Sequence, residues 1–332
     1  GDISRDGGKH YQRDFYPIVR ELAERIPYFP AVGNHDVAWG NAASRNPFLN
    51  FFRKTFDDLA NREDNQHLRD PASQKLWYSF VYGKVLFIIL DSNLLIDEGR
   101  YRKTHGLEPY RDYLQEQLIW VRDLLSASSH DPQIRAKFVF FHHSPFVSYE
   151  RKSVPILGFG GHPGHSRMVV NQTVPSKQPG ETQYLLDLFR WHRVTAIFSG
   201  HEHFYERWRE IIRDGDRPIH MLNWVVTGLG GVKPRGQPEY EKEEIDSLLE
   251  EGGVYGRYLA RLSDLEPNWS SELQHAYPSE ESPQARFHHY VRVTVDGSKG
   301  WLETIDKSGE VRDKDLLFPV NSVGANGNIQ LR

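Results

Sequence analysis

Three short apolar runs in this 332-residue chain each stop at side chains that bind metals, which limits the folds open to it. Pro27–Val32 ends at Gly33-Asn34-His35-Asp36, Lys137–Phe141 ends at His142-His143, and Val194–Phe198 ends at Ser199-Gly200-His201-Glu202-His203. Runs of this length, rich in β-branched and aromatic residues, read as buried strands. A glycine near the end of such a run lets the backbone turn sharply. In an open α/β sheet, ligands gather at the carboxyl ends of the strands, so these loops are expected to face one crevice.

Each loop taken singly has a plainer reading. His201 and His203 could be surface histidines of a hairpin, Asn34 or Asp36 could cap a backbone amide, and His142-His143 could be a solvent-facing pair before the Ser144-Pro145 turn. Together they favour a metal site. Neutral imidazole nitrogens combined with amide and carboxylate oxygens suit Zn, Fe, Mn or Ni. Gly1-Asp2-Ile3-Ser4 adds a carboxylate at what reads as a fourth strand end.

The remaining pattern alternates helix and strand. His10–Ile26 places Phe15, Ile18, Val19, Leu22 and Ile26 at helical spacing and is expected to pack on the sheet, and Phe48–Leu59 reads as a second, aromatic-rich helix. Trp77–Tyr82 and Val85–Leu90 read as a hairpin around Gly83-Lys84. Tyr110–Leu125 and Glu181–Trp191 read as helices. The stretch 144–180 is irregular, and its His162 and His165 are either substrate-facing or incidental surface residues. No repeat or low-complexity linker divides the chain. Residues 1–332 therefore read as one domain, with a polar insertion at 233–285 and a closing hairpin at 287–306.

Composition narrows the function classes. A net charge of −4 argues against a general nucleic-acid footprint, which needs a basic field. The absence of cysteine excludes disulfides and thiolate metal sites while leaving the compartment open. Val85–Leu90, the longest apolar run, is far shorter than the ~20 residues of a spanning helix.

The order Gly1-Asp2, Gly33-Asn34-His35-Asp36, His142-His143 and Gly200-His201-Glu202-His203 resembles the calcineurin-like metallophosphoesterase superfamily. That family carries D-x-H, G-D, G-N-H-[DE], a later His and G-H-x-H in sequence. Trp77-Tyr-Ser-Phe80, Leu90-Asp91-Ser92, Phe204-Tyr205-Glu206-Arg207 and Val225-Val-Thr-Gly228-Leu-Gly-Gly231 look most like its purple acid phosphatase branch. The D-x-H block has no counterpart here, so the chain reads as N-terminally truncated. Arg5 stands where purple acid phosphatases carry Tyr, so a tyrosinate-to-iron site is not expected.

The resemblance implies a four-layer α/β/β/α sandwich of two mixed β-sheets flanked by helices, here without its first β-α unit. It implies two divalent or mixed-valence metal ions, Fe, Mn, Zn or Ni, roughly 3.5–4 Å apart. Asp2 would bridge them, Asn34, His142 and His201 would complete one, and His203 would serve the other. Either His142 or His143 fits the third block; Phe146, four residues on, favours His142. His35 resembles the family's non-ligand histidine that stabilises the phosphoryl group or protonates the leaving oxygen, and Asp36 either orients it or is a solvated turn acid. The substrate would be a phosphorylated small molecule or other phosphoester, with monoesters favoured. A cyclic-nucleotide or glycerophosphodiester phosphodiesterase and a noncatalytic binding protein are the alternatives. A periplasmic or secreted location accords with the family.

Overall fold

Apolar runs buried on both faces build the centre of the molecule, as parallel strands covered on two sides require. The chain is described by a computed structural model over residues 3, 11–36, 45–69, 75–95, 110–144, 173–174, 183–231, 268–277, 286–296 and 299–318. Strands β1 (Tyr78–Tyr82), β2 (Val85–Ile89), β3 (Ala136–His143), β6 (Ala196–Gly200), β7 (Tyr205–Asp214), β8 (Arg217–Thr227) and β9 (Trp269–Tyr277) form one seven-stranded sheet in the order β1-β2-β3-β6-β8-β7-β9. Neighbours among β2, β3, β6 and β8 run parallel, and the flanking strands are antiparallel, so the sheet is mixed. Two-residue strands β4 (Thr173–Val174) and β5 (Gln183–Tyr184) pair with each other. A second sheet of β10 (His289–Asp296), β11 (Lys299–Asp306) and β12 (Val311–Phe318) is antiparallel throughout.

One face of the large sheet is covered by α4 (Tyr110–Ser129) and α5 (Leu185–Trp191), whose Leu118, Val121, Leu125, Leu186 and Phe189 pack on Ile88, Val139, Ile197 and Trp224. On the other face, Phe138, Phe198, Tyr205 and Val225 meet Leu302 of β11 and Leu317 of β12. The remainder of that face lies under α2 (Arg45–Phe51) and α3 (Arg53–Ala60), where Phe48, Phe52 and Phe56 gather with Tyr11, Val32 and Tyr78. Sheets and helices therefore stack in layers around the apolar runs.

Several expectations are changed by the fold. Pro27–Val32 joins no ladder, because Pro27 and Pro30 lack the N–H a strand must donate. The segment is held instead by Tyr78, whose hydroxyl donates to the Pro30 carbonyl at 2.8 Å, and by Phe29 stacked on Phe80. The His10–Ile26 helix is shorter, with a π-turn at Tyr11–Phe15 and α1 at Tyr16–Ala23. It does not pack its apolar stripe on the sheet: Ile18 is 82% exposed, and Leu22 and Ile26 are more than half exposed. Tyr11 and Phe15, on the turn before it, make the core contact. The Phe48–Leu59 helix is broken at Phe52, where φ −97° and ψ 18° leave the helical basin.

The β1–β2 hairpin follows its sequence signal, and Gly83, at φ 60°, supplies the left-handed turn residue. Strands β7 and β8 form the longest pairing although charged residues interrupt their sequences. Glu206, Arg207 and Glu210 on β7 are all buried, which obscures an alternating apolar pattern. Within 233–285 the described part contributes edge strand β9. Asp2, Arg5, Phe146, His162 and His165 lie outside the described residues. Among the described residues, no helix is long and apolar enough to cross a membrane.

Candidate metal centre

Parallel strands deliver their carboxyl ends to one edge of the sheet, and β2, β3 and β6 each end there in polar residues. Beyond β2 come Asp91-Ser92-Asn93, at the end of β3 stand His142 and His143, and from β6 the chain passes through Gly200 to His201. The turn Gly33–Asp36 reaches the same place, as the contact of Asn34 with His142 shows. Asn34 Oδ1 lies 2.8 Å from His142 Nε2 and 3.1 Å from His201 Nδ1, and the two imidazole nitrogens are 3.0 Å apart. Residues 34, 142 and 201, far apart in sequence, thus aim one donor atom each at a common point. All three side chains are buried.

With Asn34 Oδ1 facing the imidazoles, no placement of protons satisfies all three contacts. An amide oxygen only accepts; two N–H groups aimed at it would face each other, and a single N–H leaves one acceptor pair opposed. A cation at the common point would take a lone pair from each. Donors about 2.1 Å from a metal and a right angle apart are separated by about 3 Å, which fits these distances. The residues therefore fit a metal ion.

The backbone is shaped for this convergence. His201 has φ 67°, the left-handed region that a non-glycine residue occupies at a cost of roughly 1–3 kcal/mol. Gly228, just past β8, supports the loop. A Cβ there would stand 2.1 Å from the Glu202 carbonyl oxygen and 3.2 Å from the Gly200 carbonyl carbon, so only glycine permits this approach. Glu202 N donates to Gly200 O at 2.7 Å and tightens the turn. Asp36 is fully buried, which rules out the solvated reading; it accepts from Gly33 N at 2.8 Å and from the Tyr11 hydroxyl at 3.0 Å, and so fixes the turn that presents Asn34.

Ser92 is a functional residue that sequence reading missed. Its Oγ accepts the backbone N–H groups of His142 at 3.1 Å and His143 at 3.0 Å, and it lies 2.9 Å from His143 Nδ1. Two accepted bonds fill its lone pairs, so the hydroxyl proton goes to Nδ1 and the His143 proton resides on Nε2. The available signal was the polar triplet after β2, where Asp91 caps Asn93 and exchanges hydrogen bonds with Gln117. His143 also approaches the centre, its ring centroid 4.7 Å from that of His201, and His142, His143 and His201 form a buried group able to hold a metal. His35 and His203 are half-buried; His35 follows Asn34 directly and His203 lies two residues after His201.

The family model for calcineurin-like phosphoesterases matches residues 1–205. A protein from Arabidopsis thaliana named probable inactive purple acid phosphatase 1 is 24% identical over 271 residues, 81% of this chain and 36% of that protein. Another from the same plant, probable inactive purple acid phosphatase 9, is 22% identical over 298 residues, 80% of this chain and 39% of its own length. The chain thus spans well under half the length of the curated relatives it matches. Among solved structures, a purple acid phosphatase from yellow lupin seeds aligns over 73% of this chain and 32% of its own, at 18% identity and a TM-score of 0.36. GAP50, described as the anchor in the inner membrane complex of Plasmodium, aligns over 73% of this chain and 54% of its own, at 14% identity and a TM-score of 0.37.

Proposed function

The chain belongs to the calcineurin-like phosphoesterase family, and from that premise we propose that it hydrolyses phosphoesters with bound metal, phosphomonoesters before diesters. The observation that carries this reading is the convergence of Asn34 Oδ1, His142 Nε2 and His201 Nδ1 within 3.1 Å of one another. A metal there supplies Lewis-acid charge and an acidified water, the chemistry that phosphoryl transfer draws on most. Asn34, His142 and His201 would hold the ion, and His203 and Asp2 are proposed to serve a second one. Zn, Mn, Fe and Ni all suit this donor set.

The protein residues supply position and protons. Tyr11 and Asp36 lock the turn that aims Asn34, and Ser92 fixes the His142–His143 backbone. His143, with its proton on Nε2, stands ready to donate to an anionic oxygen beside the centre. His35, half-buried beside Asn34, is the proposed proton donor to the leaving oxygen, worth about 10²–10⁴-fold in rate if it reaches that atom.

The test pairs metal analysis with hydrolysis of p-nitrophenyl phosphate and bis(p-nitrophenyl) phosphate. The wild-type chain is expected to retain metal and cleave the monoester faster. His35→Ala should lower turnover and leave metal content unchanged. A protein that holds metal but cleaves neither ester would establish the second reading, a noncatalytic metal-binding protein. Two relatives named probable inactive purple acid phosphatases motivate that alternative.

A further inference from the structure

The second sheet reaches the turn beside the candidate metal centre through a hydrogen-bonded pair, His289 and Thr227. His289, the first residue of β10, is only 5% exposed. Its Nδ1 lies 2.8 Å from the Phe287 carbonyl, which can only accept, so Nδ1 carries the proton. Nε2 is therefore the acceptor for the Thr227 hydroxyl, 3.0 Å away. Burial holds this imidazole below the ordinary histidine range and so keeps it neutral, as the pair requires. The His289 backbone N–H also reaches the Leu229 carbonyl, and its ring stands edge-on to Tyr205 with centroids 5.1 Å apart.

Those contacts surround the turn on which the His201 loop rests. Thr227 ends β8 opposite Tyr205, the residue with which β7 leaves the loop. Gly228 follows directly and lies against the Glu202 carbonyl, closer than any side chain would allow. His201 holds a left-handed backbone that costs free energy, so something outside the loop must oppose its relaxation. Movement of the Thr227–Leu229 turn would release the Glu202 carbonyl and, with it, the direction of His201 Nδ1.

Resting on the metal reading proposed above, we propose that His289 and Thr227 form a latch by which the second sheet positions His201 for metal binding. They are positioning residues; neither touches the donor atoms. The latch acts through the backbone of the loop, one step further out than a group hydrogen-bonded to a ligand, whose loss typically weakens affinity about 10–100-fold; the lower end of that range is expected here.

The decisive measurement is calorimetric titration of the metal-free chain with Mn2+ and, separately, Zn2+, together with thermal unfolding of the same metal-free samples. Thr227→Val keeps the shape and loses the hydroxyl donor; Thr227→Ser keeps the donor. We expect Thr227→Val and His289→Ala each to weaken binding about tenfold, Thr227→Ser to bind as wild type does, and the double variant to bind no more weakly than either single one. If Thr227→Val lowers only the unfolding temperature and keeps wild-type affinity, the pair is structural and the latch is refuted. Weakening by Thr227→Ser equal to that by Thr227→Val would also refute it, since the hydroxyl would then be irrelevant. A wild-type chain that takes up neither ion overturns the metal reading itself and the latch with it.

Discussion

Two buried polar clusters flank the His201 loop, and they differ in whether protein atoms alone can satisfy them. In one, Arg207 on β7 makes a two-pronged contact with Asp313 on β12, at 2.7 and 3.0 Å, and also reaches Asp315. The Tyr205 hydroxyl donates to the same Asp313 at 2.7 Å, and Arg209 joins Asp315 at 2.5 Å. Cations face anions, and donors face acceptors. In the other, Asn34, His142 and His201 bring three lone-pair atoms together with no arrangement of protons that pairs them all. The first cluster closes on itself and joins two sheets. The second closes only around a cation, which is why burial alone does not make a cluster structural.

The largest effect expected from breaking this contrast is at Asp313. Asp313→Ala removes the two-pronged partner of a buried guanidinium and leaves Asp315 alone to pair it, so urea unfolding should show a loss of about 3 kcal/mol, the lower end for a broken buried pair. Asn34→Ala should behave in the opposite way. In the metal-free protein it should cost little, but it should abolish the stabilisation wild type gains from metal, about 2.7 kcal/mol at a hundredfold excess over Kd. If metal raises the melting temperature of Asn34→Ala as far as that of wild type, the second cluster is not the binding site.

Acid should also act at three half-buried histidines outside both clusters. His67, His192 and His220 are each pushed down to about 4, chiefly by burial, with the positive charges of Lys75, Lys137 and His130, and Arg193 and Lys137, adding to the respective shifts. The unfolded chain then binds more protons between pH 4 and 6.5, so stability rises with pH through that window. It is lost on acidification at up to about 1.4 kcal/mol per pH unit for each histidine. Urea midpoints of the metal-free protein across that range should trace the decline, and His220→Gln should flatten it. The smallest effect is expected at Arg20→Ala, which removes an exposed contact with Glu24 on α1; a change beyond about 0.5 kcal/mol would overturn the distinction drawn between exposed and buried pairs.

Much of the candidate metal centre was legible in the chain because its donor residues follow apolar runs. The ends of β3 and β6 stand where the Lys137–Phe141 and Val194–Phe198 runs place them, within two residues. Ser92 was not legible as a partner of His142, since its role depends on β2 and β3 lying side by side and parallel. The exposure of Ile18, Leu22 and Ile26 was equally hidden: helical spacing reveals an apolar stripe and not what covers it. Strand β7 escaped notice because Glu206, Arg207 and Glu210 have the composition of a surface and the burial of a core.

By itself, the sequence determined the kinds of atoms available at the strand ends, an amide oxygen at Asn34 and imidazole nitrogens at residues 142, 143, 201 and 203, and the order in which they arrive. Donor chemistry belongs to the side chain and survives any fold. Tertiary structure alone decided which nitrogen of each imidazole faces the centre, that Ser92 sets the His143 proton, and that β12 neutralises Arg207. Those outcomes depend on distances between residues remote in sequence, and hydrogen bonds and ion pairs are made or lost within about an ångström.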